Sequence, residues 1–274
     1  MDLREFQIQN KFLMLALDHR GSFKKYVNKN NPESAKYEDV VSTKAAIIGA
    51  ANETVSGMLL DPDFGVPAYK KSGADKPYLI CLEKTGYQET SGERFTELQY
   101  TAEELKKQGA SGAKILVYFN PAAKNRAVQI ETSRKALEDA HNGDMPLFLE
   151  IVTYGNEELN KSRGEWILRS LEMFLKADVL PNVWKLEYPG DAEGCKKITE
   201  LVGKTPWILL TRGERYDVFK NQLKDAISNG AGGFLAGRAV WQEIGDYDEM
   251  EQKRKFADET VKKRFKELAD IALK

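Results

Sequence analysis

The chain is poor in metal-binding side chains: among 274 residues there are two histidines, His19 and His141, and two cysteines, Cys81 and Cys195. A catalytic zinc site usually takes three ligands rich in these types, so zinc chemistry is improbable. A magnesium site built of carboxylates is not excluded by counting. Two cysteines do not make a disulfide framework, and their scarcity fits a reducing, cytoplasmic compartment. Neither sign of charge prevails, with 41 Lys and Arg against 42 Asp and Glu. No basic excess is therefore present to displace counterions from nucleic-acid phosphates. No apolar run approaches the ~18 residues that a membrane span needs. The amino-terminal stretch holds Asp2, Arg4, Glu5 and Lys11 with only the short apolar run Phe12 to Leu17, so no signal peptide is expected. A 42% hydrophobic share can fill a sizeable core, which excludes wholesale disorder.

Short β-rich runs recur at Phe12–Leu17, Gly57–Leu60, Pro77–Leu82, Gly112–Phe119, Pro146–Val152, Val183–Glu187, Pro206–Thr211 and Gly232–Ala236. Helix-period segments separate most of them, clearest at Asn125–Ala140, Glu165–Ala177, Ala192–Val202 and Tyr216–Ser228. Thr101-Ala102-Glu103-Glu104 reads as a capping box, with Gly109 beyond the end of its helix. Eight strands alternating with helices predict an α/β fold, a single (β/α)8 barrel spanning 1–274 as one domain. Pro62–Ser72 and Thr85–Glu97 read as loops. Asp248–Lys274 reads as a carboxy-terminal amphipathic helix that covers the barrel or joins subunits of a homo-oligomer.

Strands of a parallel barrel are buried on both faces and should be apolar. Here charges gather at their carboxyl ends: Asp18, Asp61, Glu83 with Lys84, Lys114, Glu150, Lys185 with Glu187, Arg212 and Arg238. Any one of them reads equally as a solvated strand end; repetition around the barrel points to the end where such barrels assemble their sites. Lys185 lies within Val183-Trp184-Lys185-Leu186-Glu187, with alternation placing Val183, Lys185 and Glu187 on one face. If that face points inward, desolvation and Lys114 lower the pKa of the amine. A neutral amine attacks a ketone to form an iminium, an electron sink for breaking a carbon–carbon bond. The competing reading is an ion pair of Lys185 with Glu150 or Glu187. Glu150, embedded in Leu147–Val152, would relay protons with a pKa raised by burial. Asp18 would bind or act on a hydroxyl. Thr211-Arg212-Gly213 and Gly237-Arg238 place guanidinium groups beside exposed backbone N–H groups, a pattern for phosphate. His19 sits at the site end, His141 near a helix end, and Cys81 reads as a small core residue.

Several stretches carry a family resemblance in chain order: Ala16-Leu17-Asp18-His19-Arg20-Gly21, Leu60-Asp61-Pro62-Asp63-Phe64-Gly65, Glu83-Lys84-Thr85-Gly86-Tyr87, Lys114–Tyr118, Phe148–Tyr154, Trp184-Lys185-Leu186-Glu187 and Gly237-Arg238-Ala239. Together they resemble the class I aldolases of the tagatose-1,6-bisphosphate aldolase-like family. The resemblance implies a TIM barrel that cleaves a phosphorylated ketose to dihydroxyacetone phosphate and an aldehyde, with no metal or cofactor. It implies Lys185 as the Schiff-base lysine, Glu150 as the acid/base, Asp18 and Lys114 as supporting catalytic groups, and Arg238 as the phosphate ligand. Gly237, Thr211, Gly213, Asp61 and His19 join the expected binding set, with Arg212 and Arg20 toward a distal anion. Three departures leave the sugar open, including sulfofructose phosphate and deoxy-keto sugar-acid phosphates. His19 stands where the sugar-bisphosphate enzymes carry glutamine, Arg212 replaces a small residue, and the segment after Lys185 is shorter. The alternatives are a transaldolase using the same lysine and a non-catalytic barrel that senses a sugar phosphate.

Overall fold

The computed structural model describes residues 2–155 and 163–274. Eight parallel strands close into a barrel: β1 Phe12–Leu17, β2 Gly57–Leu60, β3 Tyr78–Cys81, β6 Gly112–Phe119, β7 Leu147–Thr153, β8 Val183–Leu186, β9 Trp207–Leu210 and β10 Gly233–Ala236. The ring runs β1-β2-β3-β6-β7-β8-β9-β10 and returns to β1. The eight β-rich runs of the sequence are these strands, shifted by one residue at most at either end. Because side chains alternate across a strand, every second residue enters the barrel. Phe12, Met14, Ala16, Leu79, Phe148 and Ile208 belong to the inner apolar cluster, whereas Leu13, Leu15 and Leu17 pack into the layer beneath the helices. Phe6, from the short 3-10 turn Arg4–Phe6, joins the inner cluster at the amino-terminal end of the barrel. Its ring meets Phe148 edge-on at 5.6 Å, and Phe12 meets Phe148 at 5.9 Å, so three aromatic rings form the floor.

The outer helices are α1 Tyr37–Ala51, α2 Gly65–Ser72, α3 Ala102–Lys107, α4 Arg126–Asn142, α5 Arg163–Lys176, α6 Ala192–Val202, α7 Tyr216–Ser228 and the short α8 Arg238–Trp241. The capping box is formed: Glu104 N–H donates to Thr101 Oγ1 at 3.3 Å, and Thr101 N–H to Glu104 Oε2 at 2.8 Å. Two expected loops contain regular structure. Within Pro62–Ser72, Asp61 Oδ1 accepts from the N–H groups of Asp63 and Phe64 and turns the chain into α2. Within Thr85–Glu97 lies a hairpin, β4 Gln88–Thr90 and β5 Glu93–Phe95. Ser91 and Gly92 at its tip both have left-handed φ, as a two-residue hairpin turn requires. The carboxy-terminal segment forms α9 Met250–Phe256, a π turn over Ala257–Val261, and α10 Lys262–Ala272. It packs on α1 and α7, so the described segment covers the barrel of its own chain. No helix among the described residues is long and apolar enough to cross a membrane.

Candidate active site

The inner alternation that fills the floor with apolar side chains continues upward into charge. Beyond Ala16 comes Asp18, beyond Cys81 comes Glu83, beyond Phe148 comes Glu150, and beyond Val183 comes Lys185. Register sets Glu150 and Lys185 side by side on β7 and β8. These residues line a cavity of about 370 Å³ at the carboxyl ends of the strands. Lys185 is 4% exposed and its Nζ lies 2.8 Å from Glu150 Oε2. Lys114, 1% exposed, reaches the same oxygen at 3.1 Å. Its ammonium also contacts Glu83 Oε1 at 2.6 Å and Asp18 Oδ2 at 3.3 Å. Two ammonium groups and three carboxylates thus share one desolvated space, where each charge persists only because it is paired.

Burial works against ionised Glu150, yet Lys185 and Lys114 outweigh it and hold the carboxyl below its usual range. This corrects the expectation of a Glu150 pKa raised by burial. The same contest, won by Lys114 and Lys185, holds Asp18 well below the carboxylate range. Burial opposes the charge on Lys114, but the acidic groups around it raise its pKa well above that of an ordinary lysine. Glu83 goes the other way: burial, only partly countered by Lys114, lifts it. Burial likewise pushes the Cys81 thiol up, and its Sγ donates to Asp18 Oδ2 at 3.6 Å.

Two strands on from Lys185, Arg238 follows β10, and its guanidinium forms no hydrogen bond to another side chain or carbonyl among the described residues. A Cβ at Gly213, where φ is +80°, would lie 2.9 Å from Arg238 Cζ, so glycine there leaves room for the guanidinium. Gly237 and Thr211 line the cavity beside it. Arg212 also lines the cavity, but it is ion-paired to Glu187 and donates to the Thr153 carbonyl at 3.1 Å. Glu187 accepts from Thr153 N–H and Oγ1 at 2.7 and 2.6 Å, so Glu187 is spent on Arg212 and Thr153 and not on Lys185. Arg20 is held by Gln99 Oε1 and the Glu83 carbonyl, both at 3.2 Å. His19 stacks edge-on against Trp241 at 5.3 Å, and its buried Nδ1 has no hydrogen-bond partner. Burial, only partly opposed by Asp18 and reinforced by Arg238 and Lys44, pushes its pKa down to about 4.

Two expected site residues fall outside the cavity lining. Gly213 contributes only through Arg238. Asp61 corrects the expectation more fully: it is fully buried and ion-paired with Lys44 of α1, which also donates to the carbonyls of Leu17 and His19. His141 lies at the end of α4 against Asn182, away from the cavity. The lining also includes Tyr118 and Ser22, which the sequence reading did not select, and Glu83, which it placed among the charged strand ends without a role. Glu83 and Tyr118 carry a legible signal, since both continue the inward period of their strands from Cys81 and Lys114. Among the described residues, no group of three or more His, Cys, Asp or Glu side chains is arranged to hold a metal ion.

A closed barrel with a buried lysine–glutamate pair at the carboxyl ends of its strands has its charged cavity where barrel enzymes assemble their active sites. The family profile of the DeoC/LacD family aldolases matches residues 12–243, and the chain belongs to that family: it is an aldolase, a carbon–carbon lyase of the class I type. It is 29% identical over 261 residues to the tagatose 1,6-diphosphate aldolase of Staphylococcus aureus strain MW2, covering 83% of this chain and 79% of that one. The enzyme of the same name from strain JH9 is 28% identical over the same shares. Among solved structures, the fold is similar to a Schiff-base-forming fructose-1,6-bisphosphate aldolase, with a TM-score of 0.66 at 21% identity over 94% of this chain and 96% of that one. It is also similar to an archaeal fructose-1,6-bisphosphate aldolase whose catalytic lysine carries a carbinolamine, with a TM-score of 0.68 at 20% identity over 99% and 98%.

Proposed function

We propose that this chain, acting as one domain in the cytoplasm, cleaves a phosphorylated ketose into dihydroxyacetone phosphate, or a related three-carbon unit, and an aldehyde. The observation that carries this reading is Lys185 Nζ, buried on the inner face at 2.8 Å from Glu150 Oε2. The ion pair expected as the alternative is present, and it doubles as the proton path. Glu150 takes a proton from Lys185, and the neutral amine attacks the ketone carbon. A nitrogen-bound proton of the adduct passes to the former carbonyl oxygen to give the carbinolamine, and Glu150 returns its own proton to that hydroxyl, which leaves as water and yields the iminium. Asp18 accepts the proton of the hydroxyl on the carbon beyond the scissile bond. That C–O becomes the aldehyde, the carbon–carbon bond breaks, and its electron pair flows into the iminium to give an enamine. Asp18 gives that proton to the enamine carbon, water attacks the resulting iminium, and collapse of the carbinolamine releases the three-carbon product and restores the amine.

Lys114 stabilises the anionic forms of Asp18 and Glu150 between these proton transfers. Arg238, with Gly237 and Thr211, binds the phosphate of the three-carbon unit. Because Arg212 and Arg20 are engaged by Glu187, Gln99 and main-chain carbonyls, the phosphate subsite centres on Arg238. The lysine supplies the electron sink, so the reaction needs no metal. Borohydride reduction with dihydroxyacetone phosphate tests the assignment. One covalent adduct on Lys185 is expected by mass spectrometry, and an adduct that persists in Lys185→Ala overturns it. Turnover of a panel of ketose phosphates that is lost to a chelator overturns the metal-free route.

A further inference from the structure

Glu83 is the acidic side chain of the cavity to which no step above gives a role. It is 5% exposed, lines the cavity, and continues the inward period from Cys81. Its Oε1 accepts from Lys114 at 2.6 Å, and its main-chain carbonyl is held by Arg20 at 3.2 Å. Its Oε2 is buried with no hydrogen-bond partner among the described residues. A buried acceptor left without a donor is destabilising, and in a native site it calls for an explanation. Lys114 does not supply one, because its ammonium is already divided among Glu83 Oε1, Asp18 and Glu150. Around the ring, Lys185 and Arg238 belong to β8 and β10, whereas Glu83 follows β3 on the opposite arc.

We propose that Glu83 Oε2 accepts a hydrogen bond from a hydroxyl on the part of the sugar that leaves as the aldehyde, which makes the substrate class the adducts of hydroxylated aldehydes. The inference rests on the Schiff-base reading. A ketose fixed by its second carbon to Lys185 and by its phosphate to Arg238 directs its remaining carbons across the cavity, toward the arc of β1 and β3. A carboxylate there rewards an O–H donor and disfavours an anion at the same point. Lys114 anchors the other carboxylate oxygen, so a small turn of the Glu83 carboxylate brings Oε2 to the cavity and to that bond.

The test runs the reaction in the synthetic direction, adding dihydroxyacetone phosphate to lactaldehyde or to propanal, which differ by the α-hydroxyl alone. The wild-type enzyme is expected to favour lactaldehyde by about ten- to a hundredfold in kcat/KM, the worth of a hydrogen bond to a charged group. Glu83→Leu should bring that ratio close to one, with Glu83→Gln, which keeps an amide oxygen, between the two. A wild-type ratio near one overturns the proposal without recourse to any variant. So does a Glu83→Leu enzyme that loses rate equally with both aldehydes, which marks a merely structural role. Borohydride trapping on wild-type Lys185 is run alongside. If no adduct forms, the Schiff-base reading itself has failed and this inference falls with it; an adduct together with a ratio near one overturns the role of Glu83 alone.

Discussion

At Glu150 one carboxylate oxygen faces two ammonium groups, at 2.8 and 3.1 Å. Removing the proposed base while keeping the shape should therefore act on chemistry more than on binding. Glu150→Gln is expected to lower kcat by about 10²–10³ with little change in KM, measured by steady-state kinetics. His19 makes a separate prediction about acid stability. Its pKa is about 4 in the fold, against about 6.5 in an unfolded chain. Between those values the unfolded state binds more protons, so stability falls as pH falls. Urea unfolding at pH 7 and pH 5 should show wild type losing about 2 kcal/mol relative to His19→Gln over that interval. Asp18 and Glu150 have depressed pKa values, so they contribute stability above the ordinary carboxylate range and lose it only at more acid pH.

Elements explain what could be read from sequence and what could not. The alternation Val183-Trp184-Lys185 sufficed to place the lysine inside, because a strand has period two and its apolar neighbours fix the parity. Asp61 has the same parity relative to Leu59, yet it pairs with Lys44 of α1, a partner 17 residues away that no local pattern announces. Arg212 shows the same limit, since its engagement by Glu187 is a contact between two strand ends. The hairpin β4–β5 was missed because its residues are short, polar and not buried, without the apolar alternation that marks a strand. Gly233 offers a test at the seam where the barrel closes. With φ at +147° and a Cβ that would lie 2.0 Å from the Phe12 carbonyl oxygen, Gly233→Ala must push β10 away from β1. Denaturant melts should show a loss of about 3 kcal/mol or more.

For the molecule as a whole, the carboxy-terminal helix reaches back to the site. Arg264 of α10 donates to Glu243 through both terminal nitrogens, at 2.8 and 2.9 Å, and to the Val240 carbonyl of α8 at 2.9 Å. α8 begins at Arg238, so Arg264 braces the short helix that carries the proposed phosphate ligand. Arg264→Met is expected to lower the melting temperature by a few degrees, the equivalent of about 1–2 kcal/mol in a chain of this size. It should also raise KM for the phosphorylated substrate several-fold with kcat nearly unchanged, since the loosened group binds ground state and transition state alike.

The floor made by Phe6, Phe12 and Phe148 turns the barrel into a blind well. Whatever enters by the rim must back out by the rim, and traffic becomes a queue. On the proposed route, the untethered aldehyde and then the fragment released from Lys185 leave through that same opening.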